Sequence, residues 1–163
     1  MKDLGDRHYF LEIEVIRTSE GILISQRHYV LSMLFKFGMA DCKSISTPLE
    51  RNIKLRQDSG KAHDPTRFRQ IVRSLVYLKI TRPDLSYPVG LTSQFMSQPM
   101  VEHLQCTQRI LHYVHNTKDR ALLYRIGIAE HLVGYLDSDW TGNAGDRRSI
   151  SRFAFSLGSA TIA

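Results

Sequence analysis

His131-Leu132-Val133-Gly134-Tyr135-Leu136-Asp137-Ser138-Asp139-Trp140 is the stretch on which the reading of this chain turns. It is rich in branched and aromatic residues and is followed by Gly142, Asn143 and Gly145, a pattern that predicts a β-strand ending in a turn. Alternate side chains of a strand share a face. Val133, Tyr135, Asp137 and Asp139 should point one way, and Leu132, Leu136 and Trp140 the other. Two carboxylates at i and i+2 stand roughly 7 Å apart on one face, which suits a divalent cation, because hard ions take carboxylate oxygens. The plainer alternative is a pair of Asp residues that merely start a turn. Spacing alone favours the plainer one.

The residues that follow shift the balance. Gly134-Tyr135-Leu136-Asp137-Ser138-Asp139-Trp140-Thr141-Gly142, then Asp146-Arg147-Arg148-Ser149, then Phe153-Ala154-Phe155-Ser156-Leu157-Gly158 closely resembles the start of the ribonuclease H domain of copia-type retrotransposon polyproteins. The resemblance implies that Asp137 is the first carboxylate of a two-metal nuclease site, in which Mg²⁺ ions clamp the attacking and leaving oxygens of a phosphodiester. It also implies that the other carboxylates come from later elements, past Ala163. The expectation is a nuclease site cut short, with Asp137 and Asp139 holding at most one Mg²⁺ weakly and no tightly bound cofactor.

With 163 residues, 42% hydrophobic and 23% charged, the composition is that of a globular chain with one core or two small lobes. The net charge of +6 mildly favours a polyanionic partner. Cys42 and Cys106 form no framework, so the expectation is two reduced thiols inside a cell. No apolar run approaches the ~18 residues of a membrane span. The first residues lack the apolar centre of a signal peptide, so no membrane partner is expected.

Taken in order, residues 8 to 26 predict a β-hairpin. Tyr9 to Ile16 forms one strand, Thr18-Ser19-Glu20-Gly21 the turn, and Ile22-Leu23-Ile24 the return. Ser25 is a candidate N-cap for a helix with the stripe Val30, Met33, Leu34 and Phe37, ended by Gly38 at C′. Residues 40 to 63 carry no clear period and read as a long connector. Asp64-Pro65 is a strong helix start, with Phe68, Ile71, Val72, Leu75 and Leu78 on one face. That helix should stop before Pro83, and Asp84 should cap a second helix running to about Met96. Pro99 should open a third, with Val101, Leu104, Leu111 and Val114 buried. Ala121 to Ile126 predicts a strand, with Leu132 to Asp139 as its partner across a turn at 127–130. Two short strands follow, at 151–156 and 159–163.

The resemblance covers essentially the whole chain. Phe10-Leu11-Glu12-Ile13-Glu14-Val15, Gly38-Met39-Ala40-Asp41-Cys42-Lys43, Ser46-Thr47-Pro48-Leu49 and Thr81-Arg82-Pro83-Asp84-Leu85-Ser86-Tyr87 look like consecutive landmarks of copia-type reverse transcriptase. Gln94-Phe95-Met96, Arg109-Ile110-Leu111 and Tyr113-Val114 follow in the same order. This implies an α+β chain. Residues 1–120 would be the C-terminal part of a reverse transcriptase, comprising a primer-grip hairpin, helical thumb and connection. Residues 121–163 would be the opening strands of a ribonuclease H-like domain. The family's polymerase carboxylates lie in a Tyr-Val-Asp-Asp motif, and no Asp-Asp pair occurs in this sequence. Met1 matches an internal family position, so the expectation is a polyprotein fragment that catalyses neither reaction. Glu12 stands where the family's primer grip usually has Gly. Arg73 and Arg152 replace Gly, Ile150 a usual Thr and Pro88 a usual Ala.

The alternative function is a non-catalytic module that still binds an RNA–DNA or DNA duplex. Its candidate contacts are Arg67, Arg69, Arg73, Lys79 and Arg82 around the capped helix, with Arg147 and Arg148 after the acidic strand. As phosphate contacts they would bind without regard to sequence and with strong salt dependence. His103, Cys106, His112 and His115 share one predicted helix but scatter around its axis, so they should not converge on a metal. Nucleophile and phosphate-loop signatures are absent, and no small-molecule substrate is expected.

Overall fold

The computed structural model describes residues 9–57, 61–62, 64–127, 131–139, 150–158 and 160–161; at 137–139, 150–154, 157 and 160–161 it describes the backbone alone. The elements are β1 (Tyr9–Phe10), β2 (Ile13–Thr18), β3 (Gly21–Ser25), α1 (Arg27–Lys36), α2 (Pro65–Leu78), a 3₁₀ turn (Pro83–Leu85), α3 (Ser86–Ser93), α4 (Val101–Asn116), β4 (Leu122–Arg125), β5 (Leu132–Asp139), β6 (Ile150–Leu157) and β7 (Ala160–Thr161). They make two antiparallel sheets, ordered β1-β2-β3-β4 and β5-β6-β7.

Two local devices bound α1. The Ser25 hydroxyl accepts the Arg27 N–H at 3.1 Å, although the capping position itself is Gln26. At the far end Gly38 takes φ +70, its N–H donates to Phe35 O at 3.0 Å, and Met39 N–H donates to Leu34 O at 2.8 Å. These are the paired bonds of a Schellman cap, which needs a left-handed residue at C′ and so selects Gly. α2 starts as its sequence predicts: Pro65 is the first helical residue and the Asp64 carboxylate accepts Thr66 N–H at 2.9 Å.

The core lies between the helices. Val30, Met33 and Leu34 of α1, Ile71, Leu75 and Leu78 of α2, Val89 of α3, and Ile110, Leu111 and Val114 of α4 are buried against one another. Each such side chain contributes about 1.5–3 kcal/mol of burial. Phe68, Val72 and Phe95 form a smaller cluster that Leu55 of the connector joins.

The connector is ordered over the surface and runs antiparallel to α4. The Lys43 carbonyl is bonded to His112 Nδ1 at 2.6 Å, Thr47 Oγ1 accepts from Arg109 at 3.0 Å, the Arg56 carbonyl is bonded to His103 Nε2 at 2.9 Å, and Lys61 O accepts Val101 N–H at 2.9 Å. The three helix histidines are thus fasteners of the connector: His115 Nδ1 lies 3.2 Å from Ser44 Oγ. No group of three metal-binding side chains forms among the described residues.

Four expectations need correction. Tyr9 to Ile16 is not one strand, because Leu11 and Glu12 take φ +47 and +59 and reverse the chain, so that Tyr9 pairs with Glu14 and Phe10 with Ile13. Such two-residue turns normally draw on Asn and Gly. Strand β4 pairs with β3, from Gly21↔Arg125 to Ile24↔Leu122, and β5 pairs with β6. A Cβ at Gly21 would lie 2.0 Å from Tyr124 O, so β4 can approach only because that residue is Gly. Asp84 caps no helix, since its carboxylate is drawn to Arg82 and Tyr113. Residues 83–96 accordingly form a 3₁₀ turn and a helix ending at Ser93. Finally, Pro99 lies before α4, whose capping residue is Met100, and its N–H donates to His103 Nδ1 at 2.9 Å.

Candidate nucleic-acid interface

The tip of the first hairpin lies against α2. The Tyr77 hydroxyl donates to the Leu11 carbonyl within the turn, and the Tyr77 ring meets Tyr29 edge-on at 5.0 Å. The Tyr29 hydroxyl in turn donates to Ser74 O at 3.1 Å. Glu14 of β2 accepts the His28 N–H at the start of α1 at 3.1 Å, a favourable place for a carboxylate. Turn and helix are therefore held together from both sides. Tyr9, Phe10 and Leu11 stay about half exposed or more beyond this clamp.

The seven basic candidates separate on inspection. Arg82 is 3% exposed and entirely engaged. Its Nε and Nη2 reach both oxygens of Asp84 at 2.9 and 2.8 Å, and its Nη1 and Nη2 reach Thr117 O and Oγ1 at 2.9 and 2.7 Å. Tyr113 donates to Asp84 at 2.8 Å, and Arg120 donates to the Tyr113 hydroxyl at 2.8 Å. Burial pushes the Asp84 carboxyl up. The Arg82 and Tyr113 hydrogen bonds, with the charges of Arg82 and Arg120, outweigh that and hold it below the usual range. Arg82 thus ties the end of α2 to the end of α4, and its assignment to nucleic acid is withdrawn. Arg69 is also occupied: its Nε donates to Met96 O at 2.7 Å and its Nη2 to Ser97 O at 3.1 Å.

Arg67, Arg73 and Lys79 remain at the surface or half-buried. At 100° per residue they point about 120° apart around α2, so they do not share one face. Arg67 donates one bond, to the Phe37 carbonyl at 3.3 Å at the end of α1. It lines a hollow of about 490 Å³ with Lys36 and Gln70. Arg73 is exposed, has no hydrogen bond or ion pair among the described residues, and precedes Tyr77 by one helical turn. The sequence reading overlooked Tyr77 and Tyr113; the only signal for Tyr77 was an aromatic residue off the apolar stripe of α2.

Asp137 and Asp139 both stand in β5, opposite Arg152 and Ile150 in the register. Their side chains, and Arg147 and Arg148 altogether, lie outside the described residues. Both thiols are free, and burial pushes Cys106 up to about 11, which keeps it protonated and a poor nucleophile. No helix among the described residues is long and apolar enough to cross a membrane.

The chain is 42% identical over 159 residues to the retrovirus-related Pol polyprotein of transposon RE1 of Arabidopsis thaliana, covering 97% of this chain and 11% of that protein. It is 32% identical over 174 residues to the Pol polyprotein of transposon TNT 1-94 of Nicotiana tabacum, covering 99% of this chain and 13% of that one. The chain belongs to the family of copia-type retrotransposon Pol polyproteins. It is also 39% identical over 158 residues to an uncharacterized mitochondrial protein of Arabidopsis thaliana, of which it covers 66%. No family model and no solved structure matches the chain. Within these Pol relatives the aligned segment spans the hairpin, the helices and β5 alike, because 97% of this chain is matched in a single stretch of RE1.

Proposed function

We propose that this Pol segment is the primer-grip, thumb and connection part of a reverse transcriptase together with the opening strands of a ribonuclease H-like domain, and that it holds duplex nucleic acid without performing chemistry. The observation that carries this reading is the clamp of the Leu11–Glu12 turn on Tyr77, one helical turn from the exposed Arg73. A rigid hairpin tip beside a cation suits a backbone contact, because phosphate contacts fix position without reading sequence. The 163 residues hold no Asp-Asp pair, and Asp137 with Asp139 falls short of the acid set needed to clamp two Mg²⁺ ions. On this reading these 163 residues taken alone neither extend a primer nor cleave a hybrid.

The test is a salt-titrated binding assay with a labelled RNA–DNA duplex. Affinity should fall steeply with salt. Arg67→Ala plus Arg73→Ala should weaken binding about tenfold at low salt and reduce the salt slope by about 1.8. Arg69→Ala alone should change it little. Absence of binding at low salt removes the binding reading. Primer extension or hybrid cleavage in Mg²⁺ by the purified chain removes the non-catalytic one.

A further inference from the structure

We propose that the turn at 48–55 of the connector is a second nucleic-acid contact, one that takes a single strand: its phosphates on Arg51 and Lys54, and a base in the hollow beside Tyr87. This shares only its ligand class with the hairpin site and stands on different residues.

Four observations carry it. The first is placement. On α4, Thr107, Ile110 and Val114 lie within about 60° of one another and face the core, whereas Gln105, Arg109 and His112 lie roughly opposite. The connector runs over that opposite side, where Arg109 and His112 hold it. The turn is therefore reached along the side of α4 that Arg109 and His112 hold, and at its end Leu55 packs on Phe68 and Val72 of α2.

The second is charge. Residues 43 to 61 carry Lys43, Arg51, Lys54, Arg56 and Lys61 against two acids, Glu50 and Asp58. Glu50 turns to Arg109 at 3.4 Å. Arg51 and Lys54 are exposed and have no ion-pair partner among the described residues.

The third is rigidity. Asn52 takes φ +60, and Ile53 N–H closes the turn on Glu50 O at 3.4 Å. The turn is pinned on either side, through Thr47 and through the Arg56 carbonyl. Its two cations flank a fixed bend instead of riding on a loose loop.

The fourth is shape. A hollow of about 390 Å³ is lined by Pro48, Leu49, Asn52, Ile53, Tyr87 and Pro88 together with the carboxylates of Glu50 and Asp84. Tyr87 is 54% exposed. The Asp84 carboxylate is already satisfied by Arg82 and Tyr113, so its charge is compensated. A hollow with an exposed ring, its two carboxylates already turned to Arg109 and Arg82 and with cations on a fixed bend beside it, has the makeup of a single-strand site, where bases stack on aromatics and phosphates meet Lys and Arg. A duplex would offer the ring no free base face.

The experiment uses fluorescence anisotropy with a short oligouridylate and, in parallel, the RNA–DNA duplex. Arg51→Ala plus Lys54→Ala should weaken oligouridylate binding about tenfold at low salt and lower its salt slope by about 1.4. Tyr87→Ala should weaken it about tenfold, and Tyr87→Phe should restore it. Arg67→Ala plus Arg73→Ala should leave oligouridylate binding unchanged while weakening the duplex. The inference is overturned if the Arg51/Lys54 variant, folded by circular dichroism, binds oligouridylate like the parent. It is equally overturned if that variant loses only duplex affinity, which would make the turn part of a duplex surface.

Discussion

The helical part and the β5–β6–β7 sheet differ in what covers them. In the helical part each amphipathic face meets another: Leu75, Leu78, Ile110 and Val114 are fully buried, and the buried Arg82 and His103 have partners on other elements. In β5 the register with β6 is regular over eight pairs, yet Leu132 and Leu136 are 66% and 81% exposed, and on the other face Tyr135 is 67% exposed. Alternation is enough to form a strand, but a sheet gains stability only when a second layer takes its apolar face.

Substitutions can break that comparison. Leu75→Ala in the helical core should cost about 3 kcal/mol, whereas Leu136→Ala should stay within about 0.5 kcal/mol. Urea unfolding midpoints of the two variants measure this. Comparable losses would mean that β5 is packed as tightly as α2. Arg82→Ala should come next, at about 2–3 kcal/mol, because it leaves the Thr117 carbonyl and a half-buried Asp84 without their main donor. Its melting temperature should fall with no specific loss of nucleic-acid affinity in the fraction still folded. A phosphate contact would show the reverse.

Glu12→Gly has the opposite sign. A non-glycine residue at φ +59 carries about 1 kcal/mol of strain, part of which the Tyr9–Glu12 hydrogen bond at 2.6 Å offsets. The glycine variant should be more stable by somewhat less than about 1 kcal/mol. A loss of stability would show that the hairpin tip gains more from the Glu12 side chain than it loses in strain.

The smallest effect is a pH dependence. Burial holds His103 below its usual value, and its Nδ1 must stay unprotonated to accept Met100 N–H. A depressed histidine contributes stability that is present above about pH 6.5 and is lost as pH falls through its folded value, because the unfolded chain takes up the proton that the fold refuses. Asp84, also depressed, acts the same way in a separate window below about pH 4. Urea midpoints should therefore decline between pH 7 and 5. In His103→Gln that decline should be shallower; an unchanged slope would place its origin elsewhere.

Much of this was legible in the sequence. The Asp64-Pro65 start, the Gly38 stop and the apolar stripes of α1 and α2 follow from local rules, and the structure realises each. What the sequence did not disclose was nonlocal. Nothing in Leu122 to Arg125 names β3 over β5 as its partner; the choice depends on Gly21, a hundred residues away, leaving room for the approach. The Leu11–Glu12 turn was hidden because neither residue favours a left-handed backbone. Its one trace in the sequence is that Glu12 stands where the primer grip of the resembled family usually has Gly, the residue a left-handed turn favours. The basic cluster misled for a related reason. Arginines that fall together in sequence suggest a surface, yet Arg69 and Arg82 spend their donors on carbonyls and a carboxylate inside the protein. Arg51 and Lys54 drew no attention because their connector shows no period.

Native-state amide hydrogen exchange, read residue by residue, bears most directly on the division between the two parts. The predicted result is strong protection in α2 and α4, with β4 protected to the same degree as β3, its ladder partner, and exchange in β5 and β6 close to that of an open chain. Protection of β5 and β6 equal to that of α4, or loss of protection in β4 together with β5, would contradict it.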